Sequence, residues 1–119
     1  MAKEIFTEEN IKIDKEFLIE DDYINAYIET WFDVDKRFGL NTEDTDEYVN
    51  LYANYYPEDG RLDVFYIHRG PDAEFIAEKP VEDISAEEKD LILRLMKKEG
   101  LDEVIAEMAE EQESGMTMQ

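Results

Sequence analysis

The sequence contains no cysteine. That excludes a disulfide framework, a thiolate metal site and a cysteine nucleophile. It has one histidine, His68, and two serines, Ser85 and Ser114, and neither serine stands in a recognisable nucleophile motif. A nucleophile needs a base within hydrogen-bond reach, and nothing local supplies one. Basic residues are scarce: 12 Lys and Arg against 33 Asp and Glu, giving a net charge of -21 and a pI near 4.1. Binding to a nucleic-acid backbone needs a basic face, so direct contact with nucleic acid is not expected. There is no glycine-rich phosphate loop, and no apolar run approaches the length of a membrane span. Met1-Ala2-Lys3-Glu4 has no apolar stretch of the signal-peptide kind, so the expected location is cytoplasmic, with no membrane partner.

What is present is enough for a core. Hydrophobic residues make up 43% of the 119 residues and aromatic residues 12%. A chain of this length has room for one domain of ordinary size. We expect a single α+β domain over residues 1–113 and a frayed tail over 114–119.

The order of elements follows from the change in hydrophobic period. Ile11, Ile13, Phe17 and Ile19 favour strand, although Ile13 and Phe17 also share helical spacing. From Tyr23 to Asp33 the period is two. Ile24, Ala26, Ile28, Thr30, Phe32 and Val34 fall on one side, and Tyr23, Asn25, Tyr27, Glu29, Trp31 and Asp33 on the other, predicting a long strand over 22–34. Gly39, Asn41 and the acids Glu43, Asp44, Asp46 and Glu47 read as a loop. A second strand, 48–56, has Val49, Leu51, Ala53 and Tyr55 opposite Tyr48, Asn50, Tyr52, Asn54 and Tyr56. Pro57-Glu58-Asp59-Gly60 is a turn, because proline presets its φ and glycine accepts a positive one. A third strand is expected over 61–69 and a short last strand over 73–79, ended by Pro80.

Beyond residue 84 the period becomes helical. Ser85-Ala86-Glu87-Glu88 is a capping box, with Leu91, Ile92, Leu95 and Met96 as the apolar stripe and Gly100 as the stop. A second helix is expected over 102–112, with Val104, Ile105 and Met108 inward. The predicted fold is an antiparallel meander of three to five strands, packed on its aliphatic face by two C-terminal helices. Leu91, Leu95 and Ile28 are expected to be buried together.

Three groups of residues could carry function. Glu29 and Asp33 flank Trp31 and, with His68, form a candidate carboxylate site for a small enzyme or ligand-binding domain. Asp33-Val34-Asp35 begins like a calcium loop with Asp44 in the twelfth place. Arg37 and Phe38 stand where an oxygen ligand and a glycine are required, so neither a metal nor another cofactor is expected. The third group is the Tyr/Asn/Trp face: Tyr23, Asn25, Tyr27 and Trp31 beside Tyr48, Asn50, Tyr52, Asn54 and Tyr56. Tyrosine and tryptophan offer rigid amphipathic contact area and asparagine adaptable hydrogen bonds, the chemistry of recognition surfaces.

The charge is spread along the chain. Twenty-one charges match about 36 Å of duplex DNA, and a globule of this length has a diameter of roughly 35 Å. The expected function is therefore a non-enzymatic module that binds a protein partner with a basic surface, through the aromatic face and the loop acids. An antirestriction-like DNA mimic is its sharpest form, and a homodimer through the same face is the other arrangement it allows.

Like charges at this density repel in the folded state, within a Debye length of about 10 Å at 0.1 M salt. The melting temperature should rise between low and moderate salt. Calorimetry across a salt series checks this, and a flat response would mean the charges are already compensated.

Overall fold

A computed structural model describes residues 5–117, with side chains through Glu110. The described chain is an α+β fold. A six-stranded antiparallel sheet carries helices on one face. The strands are β1 (Ile11–Ile13), β2 (Leu18–Ile19), β3 (Ile24–Thr30), β4 (Tyr48–Tyr56), β5 (Arg61–Arg69) and β6 (Phe75–Pro80). Their order is β1-β3-β4-β5-β6, with β2 also paired to β3. The helices are α1 (Val34–Phe38), α2 (Ala86–Lys98) and α3 (Leu101–Thr117).

Period two does what it should. Ile24, Ala26 and Ile28 of β3 are buried, as are Leu51 and Ala53 of β4 and Leu62, Val64 and Tyr66 of β5. All lie on one face, because register pairs Ala26 with Ala53 and Ala53 with Val64. Residues 6–13 join this same core through Phe6, Ile11 and Ile13. The first stretch is thus two short strands, separated at residues 14–17.

The long strand ends earlier than its alternation predicts. β3 stops at Thr30, and Asp33 caps a helix instead. The Asp33 carboxylate accepts from the backbone amides of Asp35 and Lys36 at 3.0 and 3.2 Å. Gly39 closes that helix with φ 69°, a left-handed conformation glycine adopts freely. Alternation is only a packing signal, and here a good N-cap overrides it. α1 therefore takes up the end of the expected strand and the residues before the expected loop, which begins at Gly39.

α2 begins at the expected capping box. Glu88 N–H donates to Ser85 Oγ at 3.1 Å, and Glu88 Oε1 accepts from the Ser85 amide at 3.0 Å. Its deeply buried side chains are Ile92 and Met96, with Leu91 beside them. Leu95 packs against the core that holds Ile28 and Leu91 but is only half-buried, short of the full burial expected; the stripe is centred one residue further round the helix. α3 buries Leu101 and Met108. It runs through Thr117, beyond the expected helix end at Gln112 and into the segment expected to fray; residues 118–119 lie outside the described residues.

One polar interaction sits inside the core. The Arg37 guanidinium, 2% exposed, makes two parallel hydrogen bonds to the Glu88 carboxylate, at 2.9 and 3.0 Å. Glu88 Oε2 also accepts from the Phe6 amide at 3.0 Å. The Phe6 ring lies 4.7 Å from the guanidinium carbon. Asp83 approaches Arg37 at 3.5 Å. Burial opposes the charge on Glu88, but the Phe6 and Ser85 amides and Arg37 together hold its carboxyl below the usual range.

β6 is the outer edge of the sheet. The Val81 amide donates to the Val64 carbonyl at 2.9 Å, which points residues 77, 79 and 81 toward β5 and 76, 78 and 80 outward. Pro80 therefore lacks its N–H on the open side, where no partner strand waits. Together with Glu78 and Lys79 it discourages edge pairing.

Removing one partner of a buried ion pair leaves the other charge uncompensated. Arg37→Ala should cost about 3–5 kcal/mol in denaturant unfolding. Glu88 adds a pH signature. A lowered folded-state pKa stabilises above the ordinary carboxylate range and loses that contribution as pH falls through the lowered value. Glu88→Gln should flatten that part of the acid limb; an unchanged acid profile would contradict the assignment.

Candidate functional site

The second face of the sheet is built from the residues that alternate with the core. Register aligns them in rows across the strands. Asn25 pairs with Asn54 and Tyr27 with Tyr52. Asn54 continues to Asp63, Tyr52 to Phe65, Asn50 to Ile67 and Tyr56 to Arg61.

Side-chain contacts follow the rows. The Tyr27 and Tyr52 rings are 5.5 Å apart, and Tyr52 stacks on Phe65 at 5.5 Å with 21° between planes. Tyr23 meets Tyr56 at 5.4 Å, and the Arg61 guanidinium lies 4.0 Å over the Tyr56 ring. Asn25 Nδ2 donates to Asn54 Oδ1 at 2.7 Å. These side chains are half-exposed, and Tyr48 is exposed. Residues 6–13 pack into the opposite, aliphatic side, so they do not cover this face. Burial, then the neighbouring Tyr52 and Glu29, pushes the Tyr27 phenol above the usual tyrosine range, so it stays a neutral hydrogen-bond donor at physiological pH.

Eight of the nine expected aromatic and amide residues thus share one surface. Trp31 does not join the rows. It lies one residue past β3, its amide donates to the Asn10 carbonyl at 2.8 Å, and its side chain is 64% exposed. Phe65, Ile67, Asp63 and Arg61 belong to the face and were not singled out as site residues from the sequence. Their alternation in β5 was the available signal.

The loop acids divide. Glu43, Asp44 and Asp46 are exposed. Glu47 instead reaches His68, whose Nε2 lies 2.6 Å from Glu47 Oε1. The candidate carboxylate site is not brought together. His68 pairs with Val49 on the aliphatic face, Glu29 pairs with Lys12 on the Tyr/Asn face, and Asp33 is occupied as a helix cap. Among the described residues no three His, Cys, Asp or Glu side chains are grouped to hold a metal ion. None of the described helices is long and apolar enough to cross a membrane.

No protein-family model matches this chain, and no curated protein or solved structure matches it. The functional argument therefore rests on the face itself.

The amide pair at the centre of the face should show direct coupling. A double-mutant cycle on Asn25→Ala and Asn54→Ala should return about 0.5–1.5 kcal/mol of interaction free energy in unfolding experiments. A coupling near zero would mean the two amides are solvated separately.

Proposed function

We propose that this protein is a non-enzymatic interaction module that binds a protein with a basic surface. The observation that carries the reading is the open sheet face, where tyrosine rings and a bridged asparagine pair stand half-exposed in register. Contiguous amphipathic rings of this kind are expensive to leave in water on a monomer of this size. They supply contact area that loses little rotamer entropy on binding. The surrounding charge sets the partner's sign. A net -21 repels acidic proteins and a second copy alike, and draws basic surfaces into encounter. A cytoplasmic location fits this reading.

The shape bears on the sharper form, a DNA mimic. The chain measures 55 × 31 × 21 Å, with a radius of gyration of 16.0 Å, longer than the globule expected from its length. A single sheet covered on one side, with a 17-residue terminal helix, does not round up into a sphere. Duplex of 55 Å carries about 32 charges. The protein holds 21, about two thirds of that density. Its elongation and acidity support a decoy for a nucleic-acid site, with a lower charge density than DNA.

Charge and face separate kinetically. Association with the partner should slow steeply as salt is added, and replacing Glu43, Asp44 and Asp46 with lysine should slow it further while leaving dissociation nearly unchanged. Tyr52→Ala should chiefly speed dissociation, by an amount equivalent to about 1–3 kcal/mol. Surface plasmon resonance on the captured partner reads both rates. Association independent of salt would refute charge steering. Simultaneous binding of DNA and this protein to the partner would refute mimicry alone.

A further inference from the structure

A concave surface lies beside the Tyr23–Tyr56 end of the sheet face, beyond the Tyr27–Tyr52–Phe65 row. A groove of about 490 Å³ runs between α3 and two turns. Its α3 wall consists of Ile105, Met108 and Ala109, and Pro57 closes it from the β4–β5 turn. Met108 is buried, Ile105 half-buried and Ala109 exposed, so the floor is apolar and reachable. The rim is acidic: Asp21 and Asp22 from the β2–β3 turn and Glu58 from the β4–β5 turn. Among the described residues no basic side chain lines the groove. Among the described residues no salt bridge involves any of these three carboxylates. An adjoining cleft of about 280 Å³ shares Asp22 and Glu58 and adds Asp59. Among the described residues its lining has one cation, Arg61, which is engaged over the Tyr56 ring and with Asp63 at 3.4 Å.

We propose that this groove is a docking site for a basic segment of a protein partner, one that carries an apolar side chain flanked by lysine or arginine. The occupant follows from complementarity. An apolar floor stabilises an aliphatic or aromatic anchor. Three carboxylates at the rim, with no cation between them, favour ammonium or guanidinium groups on either side of that anchor. A second copy of this chain does not fit. Its net charge is -21, and the adjoining α3 surface carries Asp102, Glu103, Glu107 and Glu110. The inference does not rest on the sheet-face reading, because none of the groove's lining residues belongs to the Tyr27–Tyr52–Phe65 row.

The test uses the full chain with labelled methyl groups and three synthetic peptides of equal length. One alternates lysine pairs with leucine. One replaces leucine by serine at the same charge. One replaces lysine by glutamate with leucine kept. The lysine–leucine peptide should shift the Ile105, Met108 and Ala109 methyl resonances, and the other two should leave them in place. Ala109→Lys, at an exposed helical position, should abolish the shifts without unfolding the protein. Asp22→Asn with Glu58→Gln should weaken binding about threefold to tenfold. Tyr52→Ala should leave this binding unchanged even where it impairs the partner of the sheet face. The proposal is overturned if the serine peptide binds equally well, since charge alone then suffices. It is also overturned if no peptide shifts these methyls, or if the groove proves covered by self-association that Ala109→Lys abolishes.

Discussion

The fold turns on the bidentate contact between Arg37 and Glu88. It joins three parts of the chain that are remote in sequence: the short helix after β3, the first turn of α2 and the backbone at Phe6. A charge pair this deep persists only if its remaining hydrogen-bonding capacity is met. Glu88 is met from both sides, because its oxygens also accept from the Ser85 and Phe6 amides. The same carboxylate therefore completes a capping box and anchors an arginine. The helix cannot start one residue earlier or later without breaking the core pair. In a chain with few bases, one of them has been spent in the interior, where it sets registry between layers.

That clamp explains why one face of the sheet is closed and the other open. Phe38 stacks on Tyr66 at 4.5 Å, and Phe6 meets Phe32 at 5.1 Å, so the segment held by Arg37 seals the far end of the aliphatic face. α2 and α3 cover the rest through Ile92, Met96, Leu101 and Met108. Among the described residues, the buried apolar side chains of α2, α3 and residues 6–13 all lie on that side. The aromatic and amide side is left to cross-strand contacts between its own residues, which stabilise the sheet by a fraction of a kcal/mol to about 1 kcal/mol per pair. The stability of those rows and their availability to a partner come from the same geometry.

Acidity acts differently at the two scales. Over the whole surface it determines which molecules approach. Locally it is placed: Asp33 caps a helix, Glu88 is buried, Glu47 is held by His68, and Asp21, Asp22 and Glu58 rim an apolar groove. Counting carboxylates along the chain could not separate these roles, since at 33 acids almost any residue has an acidic neighbour.

Much of the architecture was legible in order. Strands 48–56 and 61–69 and the capping box at Ser85 follow directly from period and local chemistry, because alternation and capping are properties of neighbours. The Tyr/Asn face was legible for the same reason: each of two consecutive strands alternates, so pairing them brings one alternate set of each to a common face. Asp33 and Gly39 also carried a local signal for α1, but the alternation running through Phe32 and Val34 masked it. What sequence alone could not give was everything set by pairing across distance. Only the tertiary structure decided that Arg37 meets Glu88, that Glu47 meets His68, that Glu29 and His68 lie on opposite faces, and that the turns at 21–22 and 57–58 close over α3. Those contacts join residues tens of positions apart, and no local pattern encodes which of many similar acids reaches which partner.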